Sequence, residues 1–291
     1  MKIKDLPIRG KIKFGAYSVN GEIPHKIRWL KAHGDSLFIS EFLEDQCAFD
    51  AKEPGNEDNE YRRRYGNNRF SVSNVQQFIN SDQVAWYHPA HEADAPPTGD
   101  NLYQAEGAYL DRPGFLSLFE PWEMDAIEEA EVKTALPKVD IVDDGEKYEM
   151  TYCKVFLPSK TNLTGKKENG VTEGEFWDLF KNGEPIHCAL SPECYEHRGI
   201  DKPDNENEKW YYNLRSPNSG GSCGACYVTP GGDVDCSSAC HGILGVRPAL
   251  ILNPEILISD EPDEDGYYEV LECTQEVIEI DESELFEILM R

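Results

Sequence analysis

Residues 210–250 read WYYNLRSPNSGGSCGACYVTPGGDVDCSSACHGILGVRPAL. The two ends of this stretch are scaffold and its middle is not. Tyr211-Tyr212-Asn213-Leu214-Arg215-Ser216 and Gly245-Val246-Arg247-Pro248-Ala249-Leu250 carry the bulky, β-prone and turn-forming residues that a buried sheet needs. Between them nearly every residue is Gly, Ser, Ala or Cys. Such residues bring little apolar area to a core, but they present a surface on which side chains are easily exchanged.

Thr229-Pro230-Gly231-Gly232-Asp233 is a turn signal between two short runs able to pair as strands. A hairpin symmetric about Gly231 sets Val228 against Val234 and Cys226 against Cys236 on one face. Ala225, Tyr227, Asp235 and Ser237 then line the other, because side chains alternate along a strand. A slip of one residue would reverse every one of these assignments.

With Leu214-Arg215-Ser216-Pro217 and the whole of residues 245–250, the chain resembles a family of bacterial and bacteriophage domains of unknown function. That family carries a tryptophan-rich WWLRSP strand, a small-residue hairpin and then GVRPAL. It is similar to the formylglycine-generating-enzyme branch of the C-type lectin-like fold, some members of which are targets of diversity-generating retroelements that randomise such a segment. The resemblance therefore implies an α+β, C-type lectin-like fold, with mixed and antiparallel sheets, two or three flanking helices and long loops. Asn213 departs from the pattern by standing where the family has an aromatic residue.

Further out, Lys11-Ile12-Lys13-Phe14-Gly15, Ile27-Arg28-Trp29-Leu30 and Ser36-Leu37-Phe38-Ile39-Ser40 read as strands, with a turn at Asn20-Gly21. Phe14-Gly15 and Trp29-Leu30 fit the family's opening strands. Residues 50–69 read as a solvated polar loop in which Glu53-Pro54-Gly55 precedes Arg62-Arg63-Arg64. Its acids show no fixed calcium-ligand spacing, and the Glu-Pro-Asn signature of sugar-binding lectins is absent. Ser73-Asn74-Val75-Gln76 is a capping box opening a helix through Phe78 and Ile79; Phe78-Ile79-Asn80 matches the family's Trp-Leu-Asn.

Residues 81–113 look like a polar, proline-bearing insertion, where His88 and His91 form a weak metal signal and read as surface. Pro121 with Glu123 predicts a helix start, and Glu123 and Ile127 fit a second family helix. Lys154-Val155-Phe156-Leu157-Pro158-Ser159 reads as a strand. Thr172-Glu173-Gly174-Glu175 reads as another capping box, opening a helix through Phe176, Trp177, Leu179 and Phe180. Residues 1–254 are thus expected to form one domain with the insertion near 81–113. Residues 255–291 form an acidic extension with one or two strands from Tyr267 to Ile280 and a short helix after Asp281.

The 291 residues carry 55 Asp+Glu against 28 Lys+Arg, a formal charge of -27. A grip on nucleic acid needs clustered cations, so direct binding of DNA or RNA is not expected. No stretch approaches the ~20 apolar residues of a membrane span, and the amino terminus lacks the apolar core of a secretory signal. The expected localisation is cytoplasmic synthesis, followed by virion association or non-classical export. Nine dispersed cysteines read as reduced thiols.

Metal is the sharpest rival reading. Cys223-x2-Cys226 and Cys236-x3-Cys240-His241 approach zinc-ribbon spacing, which makes a zinc-binding structural module of Cys223, Cys226, Cys236 and Cys240 the first alternative. The other outcomes are a Cys226–Cys236 contact or free thiols. A formylglycine-generating oxidoreductase is the second alternative, but the cysteine spacing does not carry that chemistry over, and no Gly-x-Ser-x-Gly elbow, Walker loop or HExxH occurs.

The reading preferred is a binding module without catalysis or cofactor, whose partner is a protein or other surface ligand. Its expected contact residues are Asn213, Asn218, Ser219, Ser222, Cys223, Tyr227, Asp235, Ser237, Ser238, Cys240 and His241. Trp29, Phe14, Trp177, Leu214, Arg215, Val246, Arg247 and Pro248 are scaffold. The two arginines are expected to hold loops through backbone carbonyls or carboxylates.

Overall fold

The computed structural model describes residues 1–19, 23–143, 145–198 and 208–272. The expected turn at Asn20-Gly21 and helix after Asp281 lie outside them. The described strands are β1 (Lys11–Tyr17), β2 (His25–His33), β3 (Leu37–Ser40), β4 (Asp45–Gln46), β5 (Ile127–Glu128), β6 (Ala130–Ala135) and β7 (Tyr148–Cys153). They continue with β8 (Val155–Phe156), β9 (Tyr212–Pro217), β10 (Gly224–Val228), β11 (Val234–Ser238), β12 (Gly245–Val246), β13 (Ala249–Leu252) and β14 (Tyr267–Glu269). The helices are short: α1 (Glu60–Tyr65), α2 (Asn74–Ile79), α3 (Pro121–Ala126), α4 (Lys160–Thr164), α5 (Asp178–Lys181) and α6 (Pro192–Arg198). The architecture is α+β with mixed sheets and few helices.

Among the described residues one sheet runs β14-β1-β2-β3-β13-β5, with β8 also on β13, and a second runs β11-β10-β9-β12-β4. Residues 245–250 serve both sheets. Gly245 and Val246 pair with Gln46 and Asp45 in the hairpin's sheet, and after two intervening residues Ala249 and Leu250 pair with Ile39 and Phe38. Pro248 fits the crossing because its missing N–H is not needed there, while its carbonyl accepts from the Ser40 amide at 2.9 Å. A side chain at Gly245 would begin 2.6 Å from Leu43 Cδ1 and 3.1 Å from its Cβ, so glycine lets β12 and Leu43 approach this closely.

The joint is closed by a buried cation. Arg247 donates from Nε to the Ser40 carbonyl (3.1 Å), and from Nη1 to the Ile186 carbonyl (3.2 Å) and the Tyr212 hydroxyl (3.4 Å). Arg215 does the same for β9, reaching the carbonyls of Leu157 (2.7 Å) and Glu173 (2.6 Å) and Asn162 Oδ1 (2.8 Å). Burial draws the Arg215 pKa down to about 10 against the pull of the neighbouring Glu173, which leaves it charged at neutral pH. Around this frame pack Trp29, whose indole donates to the Phe14 carbonyl at 2.8 Å, and the fully buried Phe14, Phe38 and Tyr212.

Local signals were mostly realised. Ser73 caps α2 by accepting from the Gln76 amide, and Pro121 opens α3. The box at residues 172–175 is not used, and the helix starts later, at Asp178. Gly174 takes φ +109°, and Glu173 is drawn into the core, where it accepts from the Ala135 amide (3.0 Å) and the Ser216 hydroxyl. The insertion is not detached from the core, since Trp86 stacks on Tyr109 at 5.4 Å with Phe78 alongside.

Replacing Arg247 with Ala removes the Nε donor from the buried Ser40 carbonyl, leaves the Ile186 carbonyl to the Tyr212 hydroxyl alone, and removes a packed cation. The expected cost is about 3 kcal/mol or more, read as a lower urea midpoint at unchanged slope. A loss under about 0.5 kcal/mol, the range of ordinary surface changes, would mean that this residue does not hold the sheets together.

Candidate functional site

The hairpin forms in the register read from its turn. Val228 opposes Val234, Cys226 opposes Cys236, Tyr227 opposes Asp235 and Ala225 opposes Ser237. β11 lies at the end of its sheet and carries the exposed Asp235. Along this face runs a continuous row of side chains. Tyr211, 38% exposed, packs on Tyr227 with ring centroids 5.9 Å apart. Asp235 lies across the strand, then Ser237, His241 and finally Tyr103, 62% exposed and 5.4 Å from the imidazole.

His241 is fixed from both sides. Gln104 Oε1 lies 2.6 Å from Nε2, and the Ser237 hydroxyl lies 2.9 Å from Nδ1. An amide oxygen only accepts, so Nε2 carries the proton and Nδ1 accepts from Ser237. The loop that brings Gln104 here is held tightly. Tyr103 N–H donates to the Cys240 carbonyl and Gly242 N–H to the Tyr103 carbonyl, both at 2.9 Å. A side chain at Gly107 would start 1.8 Å from the Gly242 carbonyl oxygen, and Gln104 itself adopts φ 64°, a strained value for a non-glycine residue. Burial lowers the His241 pKa below its ordinary 6.5, so the ring is neutral at pH 7.

Of the residues expected to contact ligand, Asn218, Cys223, Tyr227, Asp235, Ser237, Ser238 and His241 are exposed or half-buried. Four are corrected by the structure: Asn213, Ser219, Ser222 and Cys240 are buried. Asn213 donates to the Cys47 carbonyl (3.0 Å), because the chain following β4 crosses over the middle of the sheet. The Ser219 hydroxyl and amide both bind the Glu168 carboxylate. Ser222 and Cys240 are covered by the polar loop read as solvated. Ser222 bonds Asn59 at 3.1 Å, its carbonyl takes the Arg62 Nε–H at 3.1 Å, and the Cys240 amide donates to the Tyr65 carbonyl.

That loop is anchored rather than solvated. Asp50 and Glu53 are buried, Asp50 accepting from the amides of Asn67 (2.8 Å) and Asn74 (3.0 Å). Glu53 stands 3.1 Å from His91, which gives one histidine of the insertion a structural partner, while His88 stays exposed. Asn68 donates to the carbonyls of Asn218, Gly221 and Gly224 and so pins the approach to the hairpin. Beside α1 a solvent-open polar cleft of about 920 Å³ includes Asn56, Asn59, Arg62 and His91. Arg62 is already paired there with Asp140 at 2.5 Å.

The four cysteines of the zinc reading separate. Cys226 and Cys236 touch each other, whereas the Cys240 thiol turns toward the Arg64 carbonyl. Among the described residues no group of three or more His, Cys, Asp or Glu is placed to share a metal ion, and no helix is long and apolar enough to cross a membrane. Sequence reasoning missed Tyr211, Tyr103 and Gln104. Alternation beside the buried Tyr212 marks Tyr211 as outward-facing, but nothing local places residues 103 and 104 beside His241.

The class these features define is an α+β domain with a braced two-sheet frame and a half-exposed hairpin face. The sequence profile described as "Domain of unknown function (DUF6273)" matches residues 34–254, and the chain belongs to that family. No curated protein and no solved structure matches the chain.

Two outcomes follow from this geometry. In the native protein His241 should titrate below 6.5. The unfolded chain then binds more protons between the two pKa values, so the histidine's contribution to stability is complete above about pH 6.5 and is lost as pH falls through the folded pKa. An NMR midpoint at or above 6.5 would contradict it. Asp235→Asn and Ser238→Thr should each stay within about 0.5 kcal/mol of the parent. Asn213→Ala should cost about 1–3 kcal/mol in chemical denaturation by removing a buried hydrogen bond to the Cys47 carbonyl; the reverse ranking would place the hairpin in the core.

Proposed function

We propose that the chain is a recognition module of C-type lectin-like architecture that presents its hairpin face to a protein or other surface ligand. The observation that carries this reading is the row Tyr211, Tyr227, Asp235, Ser237, His241 and Tyr103, solvent-accessible yet held on a buried frame. Tyrosines offer large amphipathic contact area at small entropic cost, and Asp, Ser and His add polar selectivity. A pre-formed surface also avoids the ordering penalty that weakens flexible binders.

Catalysis is the less favoured reading. Ser237, His241 and Gln104 imitate a nucleophile, base and orienting group, but a neutral amide cannot stabilise an imidazolium as a buried carboxylate does. Their hydrogen bonds serve to immobilise the ring. The exposed residue types are also those that adenine-directed codon diversification yields, which supports a retroelement-diversified segment on a constant frame. A reverse transcriptase gene and an adenine-differing template repeat in the neighbouring DNA would test that part directly.

The binding reading is tested on glycan and peptide arrays. The Tyr211→Ala/Tyr227→Ala variant should keep the parent's melting temperature to within a few degrees and lose array ligands by about tenfold or more, as truncation of aromatic anchors does. Tyr61→Ala, at an exposed α1 residue outside that row, should bind as the parent does. Ligands retained by the double variant and lost with Tyr61→Ala would overturn the assignment of the face.

A further inference from the structure

The opposite side of the hairpin carries a second feature, independent of the binding reading. Cys226 and Cys236 are directly paired across β10 and β11, with their sulfurs 3.2 Å apart. The backbone bonds define the kind of pair. Thr229 N–H donates to the Asp233 carbonyl and Ala239 N–H to the Cys223 carbonyl, each at 2.8 Å. Counting by twos from these hydrogen-bonded positions makes Cys226 and Cys236 a non-hydrogen-bonded pair. Cα atoms in such pairs are about 4.5 Å apart, within the range a disulfide spans without backbone movement.

The two thiols have different surroundings. Cys236 is exposed on the outer strand, whereas Cys226 is 1% exposed and lies 3.4 Å from the Pro217 carbonyl. Of the other described cysteines, Cys47, Cys153, Cys188, Cys194 and Cys240 are buried and Cys223 is half-buried. The Cys236 amide is satisfied by the Asp235 carboxylate at 2.8 Å, which fixes the strand locally. The hydrogen bond from Cys226 also draws the Cys236 pKa down and raises that of Cys226, so the accessible sulfur is also the one that ionises first.

We propose that Cys226 and Cys236 form a thiol–disulfide exchange site that takes a low-molecular-weight disulfide such as glutathione disulfide, Cys236 attacking and Cys226 resolving. In the first step the Cys236 thiolate attacks one sulfur of the disulfide, forming a mixed disulfide and expelling one glutathione thiolate. That thiolate takes up a proton. The Cys226 thiol then loses its proton to solvent, and its sulfur attacks Cys236 Sγ and expels the second glutathione thiolate. Two protein thiols are oxidised to one disulfide and one glutathione disulfide is reduced to two thiols. The product is a covalent staple across the hairpin, reversed by excess thiol.

The test uses the full chain, reduced, exchanged into oxidised glutathione, quenched with an alkylating agent and mapped by non-reducing peptide mass spectrometry. The expected result is a Cys226–Cys236 cross-linked peptide as the main early product, removed by dithiothreitol. Cys226→Ser should stop at a stable glutathione adduct on Cys236, and Cys236→Ser should leave Cys226 unmodified. A parent protein that accumulates the adduct on Cys236 without closing, that cross-links Cys223 first, or that keeps both thiols reduced while Cys223 reacts would overturn the proposal. Should either variant lose its circular-dichroism signature of folding, the parent's peptide map decides alone.

Discussion

Arg247 sits where the chain leaves one sheet for the other, with its guanidinium bonded to the Ser40 and Ile186 carbonyls. It lies 5.5 Å from the Tyr212 ring centre and 5.9 Å from that of Phe180. A crossing between sheets exposes carbonyls that neither ladder can satisfy, and orphaning them in the interior is costly. A planar cation with several donors meets that need where an aliphatic residue cannot. Arg215 repeats the solution on β9, binding Leu157, Asn162 and Glu173. The small-residue hairpin can be poor in apolar area because these two joints hold the segments on either side of it.

The same economy explains the polar loop. Asp50 and Glu53 are buried in a chain with an excess of acids, but each carboxylate is occupied by backbone amides, asparagine side chains or His91. Such satisfied networks specify a unique arrangement as much as they stabilise it. Here they set α1 over the base of the hairpin, and so divide the small-residue segment into a covered part and a presented part.

The presented part is narrow and two-sided. One side carries tyrosines and a histidine fixed by hydrogen bonds; the other carries a thiol pair. Membership of the DUF6273 family covers residues 34–254, a range that includes the hairpin, both arginine joints and the loop that covers them. Outside that range, β1 and the whole of β2 still belong to the first sheet, and β14 pairs in parallel with β1.

Local chemistry was enough to determine some of this. Gly231 and its neighbours set the hairpin register, Ser73 and Pro121 set helix starts, and the bulk of Tyr212, Leu214 and Val246 marked buried strands. Each of these depends on residues a few positions apart. Tertiary structure alone decided the rest. Asn213 reads as exposed from its polarity, but the chain after β4 supplies a carbonyl above it. Ser222 and Cys240 are small and polar enough for a surface until α1, some 160 residues earlier in the chain, lies over them. Gln104 reaches His241 only because Gly107 and Gly242 let two distant loops touch. Burial is a property of what arrives on top of a residue, and hydrogen bonding lets a polar side chain accept that cover, so polarity in sequence does not report exposure.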